Sequence, residues 1–140
     1  MVMDVTISSD LMQRIVAAAA ADPAVEVCGL LFGNADAVVA VEACRNVATD
    51  IARRFEIDPA ALIAAYRRGR GCGPAVVGCY HSHPTGVAAP SARDAADAAA
   101  DGGLWLIVGG GAVTAWRAVE NGPVHDRFEP VRLVVATDRG

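Results

Sequence analysis

His81 and His83 stand one residue apart in YHSHP, and a little further on SARD supplies Ser91 and Asp94. In an extended strand, residues two apart point to the same side, so both imidazoles can reach one point while Ser82 faces away. Two neutral imidazoles make half of a zinc site; the alternative is a pair of half-exposed histidines where a strand meets a loop. Asp94 falls in the first turn of the next helix, and the loop from Pro84 to Pro90 is long enough to fold that turn back over the strand end. A carboxylate there completes three ligands and leaves a fourth position to water, the open arrangement of a catalytic rather than a structural zinc. SARD is also a helix start, with Ser91 as the cap and an acidic third residue favoured by the helix dipole. The Ser91 hydroxyl can cap and still face a metal, whereas Asp94 is expected to do one of the two jobs fully, not both.

Glu26 is the second chemical anomaly. It stands inside the apolar run AVEVCGLLF, where an ionised, unpaired carboxylate costs several kcal/mol to bury. If that strand lies beside VVGCYHSH, the carboxylate can take a proton from water at a metal and hand it to a leaving amine. Otherwise it ends a connection and reaches solvent.

These groups need a frame. MDVTIS alternates as a first strand, and Ser8 or Ser9 can cap a helix over 10–21, buried through Leu11, Met12, Ile15, Val16 and Ala19. VEVCGLLFG and AVVAVEAC read as a hairpin around GNAD, followed by a connection with a short strand near Phe55 to Ile57. Asp58 and Pro59 start a helix to about Arg68. AVVGCYHSH is a buried strand that carries both histidines to its C-terminal end, and SARDAADAAA is a helix stopped by DGG. LWLIVGG, AVTAWRAV and FEPVRLVVA give three more strands, expected to be antiparallel. The sum is one α+β domain over residues 1–140 with six to eight strands and three helices.

Composition sets the outer bounds. The 140 residues are 54% hydrophobic and carry a net charge of −4, so nucleic acid is not an expected partner. No stretch approaches the 18 apolar residues of a membrane span, and nothing reads as a signal peptide; the expectation is a soluble cytoplasmic protein. Cys28, Cys44, Cys72 and Cys79 form no CxxC pair and are expected to be reduced thiols in packing roles. His125, isolated in GPVHDRF, reads as a surface residue. All 12 basic residues are arginine, which leaves no side-chain amine for isopeptide attachment.

A glutamate in VEVCGLLFG followed by HSHPTGVAAPSARD resembles the JAMM or MPN+ metallopeptidases, whose pattern is an upstream glutamate, then HxHP, six residues and SxxD. The likeness is strongest to the small stand-alone bacterial members and covers about residues 7–119. It implies a curved, mainly antiparallel sheet flanked by about three helices, of the cytidine-deaminase-like kind. It also implies Zn2+ on His81, His83 and Asp94, Glu26 as general base and acid, and Ser91 helping to hold an oxyanion. The implied substrate is an amide after the C-terminal Gly-Gly tail of a ubiquitin-like or sulfur-carrier protein. This chain lacks the long insertions that help choose polyubiquitin linkages. A zinc deaminase is disfavoured because its PCxxC ligands are absent. A non-catalytic MPN-type scaffold and a peptidoglycan peptidase are the remaining alternatives; the first is expected to lose ligands, the second to show an export signal.

Overall fold

The computed structural model describes residues 3–137. Its elements are β1 (Asp4–Ser8), α1 (Ser9–Ala21), β2 (Cys28–Asn34), β3 (Ala37–Cys44), α2 (Pro59–Arg70), β4 (Ala75–Ser82), α3 (Ala92–Asp97), β5 (Leu104–Gly109), β6 (Ala112–Ala118) and β7 (Phe128–Ala136). The seven strands close into a barrel in the order β1-β3-β2-β4-β5-β6-β7. Four neighbouring pairs are antiparallel. The pairs β1-β3, β1-β7 and β4-β5 are parallel. The sheet is therefore mixed and closed, where a curved and mainly antiparallel one was expected. The difference comes from β1, whose five residues bridge β3 and β7, and from the crossover between β4 and β5. Hairpin patterning predicts neither, because both join strands that are not linked by a tight turn.

β2 is buried along Cys28 to Phe32 because both its faces are covered. Leu31 joins Val5, Ile7, Ile15, Tyr80, Leu104, Leu106 and Val108 in the main cluster, on which α1 lays Ile15. Leu30 and Phe32 point the other way, to Ala65 and Leu62 of α2. This double burial explains the continuous apolar run. Three fully formed caps start the helices: Ser8 accepts the Leu11 N–H at 3.1 Å, Asp58 accepts that of Ala60 at 3.1 Å ahead of Pro59, and Ser91 opens α3.

Two boundaries differ from expectation for physical reasons. α3 stops at Asp97 and not at Ala100, since Ala98 turns extended and buries itself with Ala118 and Phe128; tertiary packing overrides the helix propensity of the alanines. β2 begins at Cys28, three residues later than Val25, because the backbone around Glu26 bonds to side chains and loop carbonyls instead of a ladder. The short strand near Phe55 is reduced to one bridge, Asn46 to Ile57.

The parallel β4-β5 pair requires a crossover, and α3 lies on it. His81 on β4 and Asp94 in α3 are thus brought together at the C-terminal end of β4. No helix among the described residues is long and apolar enough to cross a membrane.

Candidate functional site

Cys28 of β2 faces His81 across the antiparallel β2-β4 ladder, and the Ser82 N–H donates to the Val27 carbonyl at 3.0 Å. This register carries Glu26 past the end of β2 to the level of His83. Glu26, His81, His83 and Asp94 each offer an atom to a common point, and those atoms lie within 4.8 Å of one another. The residues singled out in the sequence are together.

Three of them form a close triangle. His81 Nε2 is 2.9 Å from His83 Nε2 and 3.2 Å from Asp94 Oδ2, and His83 Nε2 is 3.1 Å from the same oxygen. The His83 Nδ1–H donates to the Val87 carbonyl at 2.8 Å, so the Nε2 of a neutral His83 is a lone pair. His81 Nδ1 is buried without a partner, so a neutral His81 either donates its Nε2–H to Asp94 or, with the hydrogen on Nδ1, turns a lone pair to the same point. A cation among the three atoms stabilises the second arrangement. A tetrahedral zinc with ligands at 2.0–2.2 Å has ligand-to-ligand edges of roughly 3.3–3.6 Å, close to this triangle. The residues fit a bound divalent cation.

Burial governs the charges here. Burial lowers the pKa of His81, which is fully inaccessible to solvent, against hydrogen bonding to Asp94 that raises it; the ring is kept neutral, as a ligand requires. For His83 burial also lowers, but the bonds to Asp94 and to the Val87 carbonyl outweigh it and the pKa rises. Burial alone would raise Asp94. Its bonds with the two imidazoles and with the Ser91 N–H prevail, and its pKa is held well below the carboxylate range. Glu26 is the opposite case: burial pushes its pKa from 4.5 up to about 7, with His83 lowering it and the Asp94 and Asp50 carboxylates adding to the rise. Its Oε1 is buried without a hydrogen-bond partner.

Asp94 corrects one expectation. Its Oδ2 accepts the Ser91 N–H at 2.9 Å, while the Ser91 hydroxyl accepts the Asp94 N–H at 3.0 Å, a reciprocal capping box. The same Oδ2 is a corner of the triangle. An oxygen carries more than one lone pair, so the cap leaves this atom able to face the two imidazoles as well. Because the Ser91 hydroxyl acts there as an acceptor, its own hydrogen is left over from the cap.

Sequence reasoning missed several supports. Phe55 stacks on the His81 ring with centroids 4.3 Å apart, and Trp105 meets both rings edge-on. Thr114 donates to the Ala88 carbonyl at 2.6 Å and accepts from Trp116 at 2.9 Å, tying down the loop whose Val87 carbonyl fixes the His83 tautomer. That loop lies so close on β5 that a Cβ on Gly109 would meet Val87 and Ala88 backbone at 2.7 Å. A lone Phe in RRFEID or a Thr in AVTAW signals none of this. His125 is exposed in a turn, as expected. All four cysteines are free thiols, and burial pushes Cys28 up to about 12 and Cys79 further still, so neither is a nucleophile.

The family model described as prokaryotic homologs of the JAB domain matches residues 8–121. A desampylase of Haloferax volcanii is 40% identical over 91 residues, which are 64% of this chain and 66%, just under two thirds, of that protein. A desampylase of Pyrococcus furiosus is 33% identical over 112 residues, 79% of this chain and 76% of that one. The solution structure of a Desulfitobacterium hafniense protein superimposes with a TM-score of 0.78 at 24% identity, over 96% of this chain and 94% of the other; it shows a shared fold.

Proposed function

The chain belongs to the family of prokaryotic JAB-domain homologues, and on that premise we propose that it is a zinc-dependent isopeptidase. It hydrolyses the amide after the C-terminal Gly-Gly tail of a ubiquitin-like or sulfur-carrier protein. The observation that carries this reading is the convergence of three potential ligand atoms of His81, His83 and Asp94 with a buried carboxylate beside them. Two relatives bear the name desampylase. Every expected ligand position is filled, which favours an enzyme over a binding scaffold.

In the proposal His81, His83 and Asp94 hold zinc. The cation supplies Lewis acidity, making hydroxide available near neutral pH and polarising the scissile carbonyl. Glu26, with a pKa near 7, is matched to accept a proton from water and return it to the departing amine. Its partnerless Oε1 is free to do so. Ser91 offers its remaining hydroxyl hydrogen to the developing oxyanion. A groove of about 260 Å3 beside His83 is walled by small residues, among them Ala19, Ala20, Gly86, Gly109 and Gly110, which suits a tail without side chains. Four free thiols suit a reducing compartment, so the proposal places one working domain in the cytoplasm, with no nucleic-acid or membrane partner.

The test is mass spectrometry of the zinc-loaded protein incubated with ubiquitin-fold proteins extended beyond Gly-Gly. Release of the extension, abolished by a chelator, is expected. Cleavage of cell-wall peptides with every ubiquitin-fold substrate left intact would replace this reading by the peptidoglycan one.

A further inference from the structure

Glu26 lies outside any regular element: α1 has ended at Ala21 and β2 has yet to begin at Cys28. No ladder fixes it. Its Oε1 has no hydrogen-bond partner, whereas its main chain is held. Five successive backbone groups around it are in fact taken. The Glu26 N–H donates to the Ile51 carbonyl at 2.7 Å, and the Glu26 carbonyl accepts from Asn46 Nδ2 at 2.8 Å. The Val27 N–H donates to the Ser82 hydroxyl at 3.0 Å, that hydroxyl reaches the Val25 carbonyl at 3.5 Å, and the Val27 carbonyl accepts the Ser82 N–H.

We propose that Asn46 and Ser82 are positioning residues that clamp the Glu26 main chain from two sides and thereby aim its carboxylate at the cation site. Asn46 uses its full capacity. Its Nδ2 also donates to the Arg54 carbonyl at 3.0 Å, and its Oδ1 accepts the Ala48 and Glu56 N–H groups at 3.0 Å each. These bonds close the segment 46–56, the same segment whose Ile51 carbonyl receives the Glu26 N–H. The amide therefore holds Glu26 directly and also shapes the loop that holds it a second time. Ser82 sits between the two histidines with its side chain turned away from them and toward Val25 and Val27. One strand thus presents ligands on one face and the brace for the proton carrier on the other. The clamp matters because a reactive group displaced by about 1 Å can lose about 100-fold in rate.

This inference rests on the reading of Glu26 as the proton-carrying group, and it can be separated from that reading. Asn46→Ala and Ser82→Ala are made singly in the wild-type and in the Glu26→Gln background. Zinc content, kcat, KM and amide hydrogen exchange are measured on the zinc-loaded proteins. In the wild-type background each should keep one zinc and a KM within about twofold while kcat falls about 10- to 100-fold. In the Glu26→Gln background neither should lower the residual rate further, because a residue acting through Glu26 has nothing left to position. Exchange of the Glu26 and Val27 amides should accelerate in Asn46→Ala and Ser82→Ala respectively, a readout that needs no turnover. Equal losses in both backgrounds, an unchanged kcat, or loss of zinc with unchanged amide protection would overturn the clamp. A wild-type protein inactive on all conjugates would overturn the function instead, with the exchange data still deciding the clamp. If one variant does not fold, the other carries the same test.

Discussion

The two halves of the site are built in opposite ways. His81, His83 and Asp94 hold one another through their side chains, at 2.9–3.2 Å, on the end of β4 and the start of α3. Glu26 comes from an irregular segment, is held by its main chain, and leaves a carboxylate oxygen unpartnered. The electrostatics divide likewise: Asp94 is locked in its charged form, whereas Glu26 is brought to where it can change form near neutral pH. That division suits the proposed roles: ligands must keep one geometry and one protonation state, and a proton carrier must be steady in place but free in charge.

Variants can separate the halves. The largest effect is expected from Glu26→Gln, which should retain zinc one to one and lose turnover by about two to four orders of magnitude; retained turnover removes Glu26 from the mechanism. Asp94→Asn keeps an oxygen for the capping box but exchanges the carboxylate for an amide. Zinc affinity should fall by about 100-fold or more, as seen by competition with a chelator, with the helical signal little changed. His83→Ala should give a comparable loss, and full zinc loading of both variants would put the ligands elsewhere.

A pH titration sharpens the contrast without any metal. The folded pKa of Glu26 is raised, so its contribution favours the folded state below about pH 4.5 and is lost as pH rises through about 7. In chelator-treated protein, Glu26→Gln should therefore be more stable than wild type at pH 8, by on the order of 1–3 kcal/mol, and equal to it near pH 4. Denaturant melts at the two pH values measure this, and a variant less stable at pH 8 would contradict it. The smallest effect is expected from Thr114→Val, which removes the bond to the Ala88 carbonyl. About 1 kcal/mol of stability and a few-fold loss of zinc affinity should follow, visible in thermal melts and chelator competition.

The triangle was legible because its chemistry is written in spacing: the strand period aligns His81 with His83, and a helix cap marks Asp94. Glu26 was legible as an acid in an apolar run. Its supports were not, because Asn46, Ile51 and Ser82 act through backbone atoms of distant residues, and an asparagine in a connection has many uses. All seven strands were readable from alternation or apolar runs flanked by turns, β3 among them to the residue. The closure was not. β1 pairs in parallel with partners 31 and 128 residues away, and nothing local in MDVTIS specifies its neighbours. The early end of α3 was hidden for a similar reason, since Ala98 is drawn off by Phe128 and Ala118.

The sharing of Asp94 Oδ2 between cap and triangle has a thermodynamic consequence. Six residues are too few for a helix to persist by its own propensity, so the first turn of α3 stands on its capping box and on packing. When that turn frays, the oxygen leaves the imidazoles at the same moment; ordering the turn and presenting that oxygen are one event. Occupation of the triangle and folding of α3 are then linked functions. Each bound cation should nucleate the helix, and each change that favours the helix should tighten the cation by the same free energy.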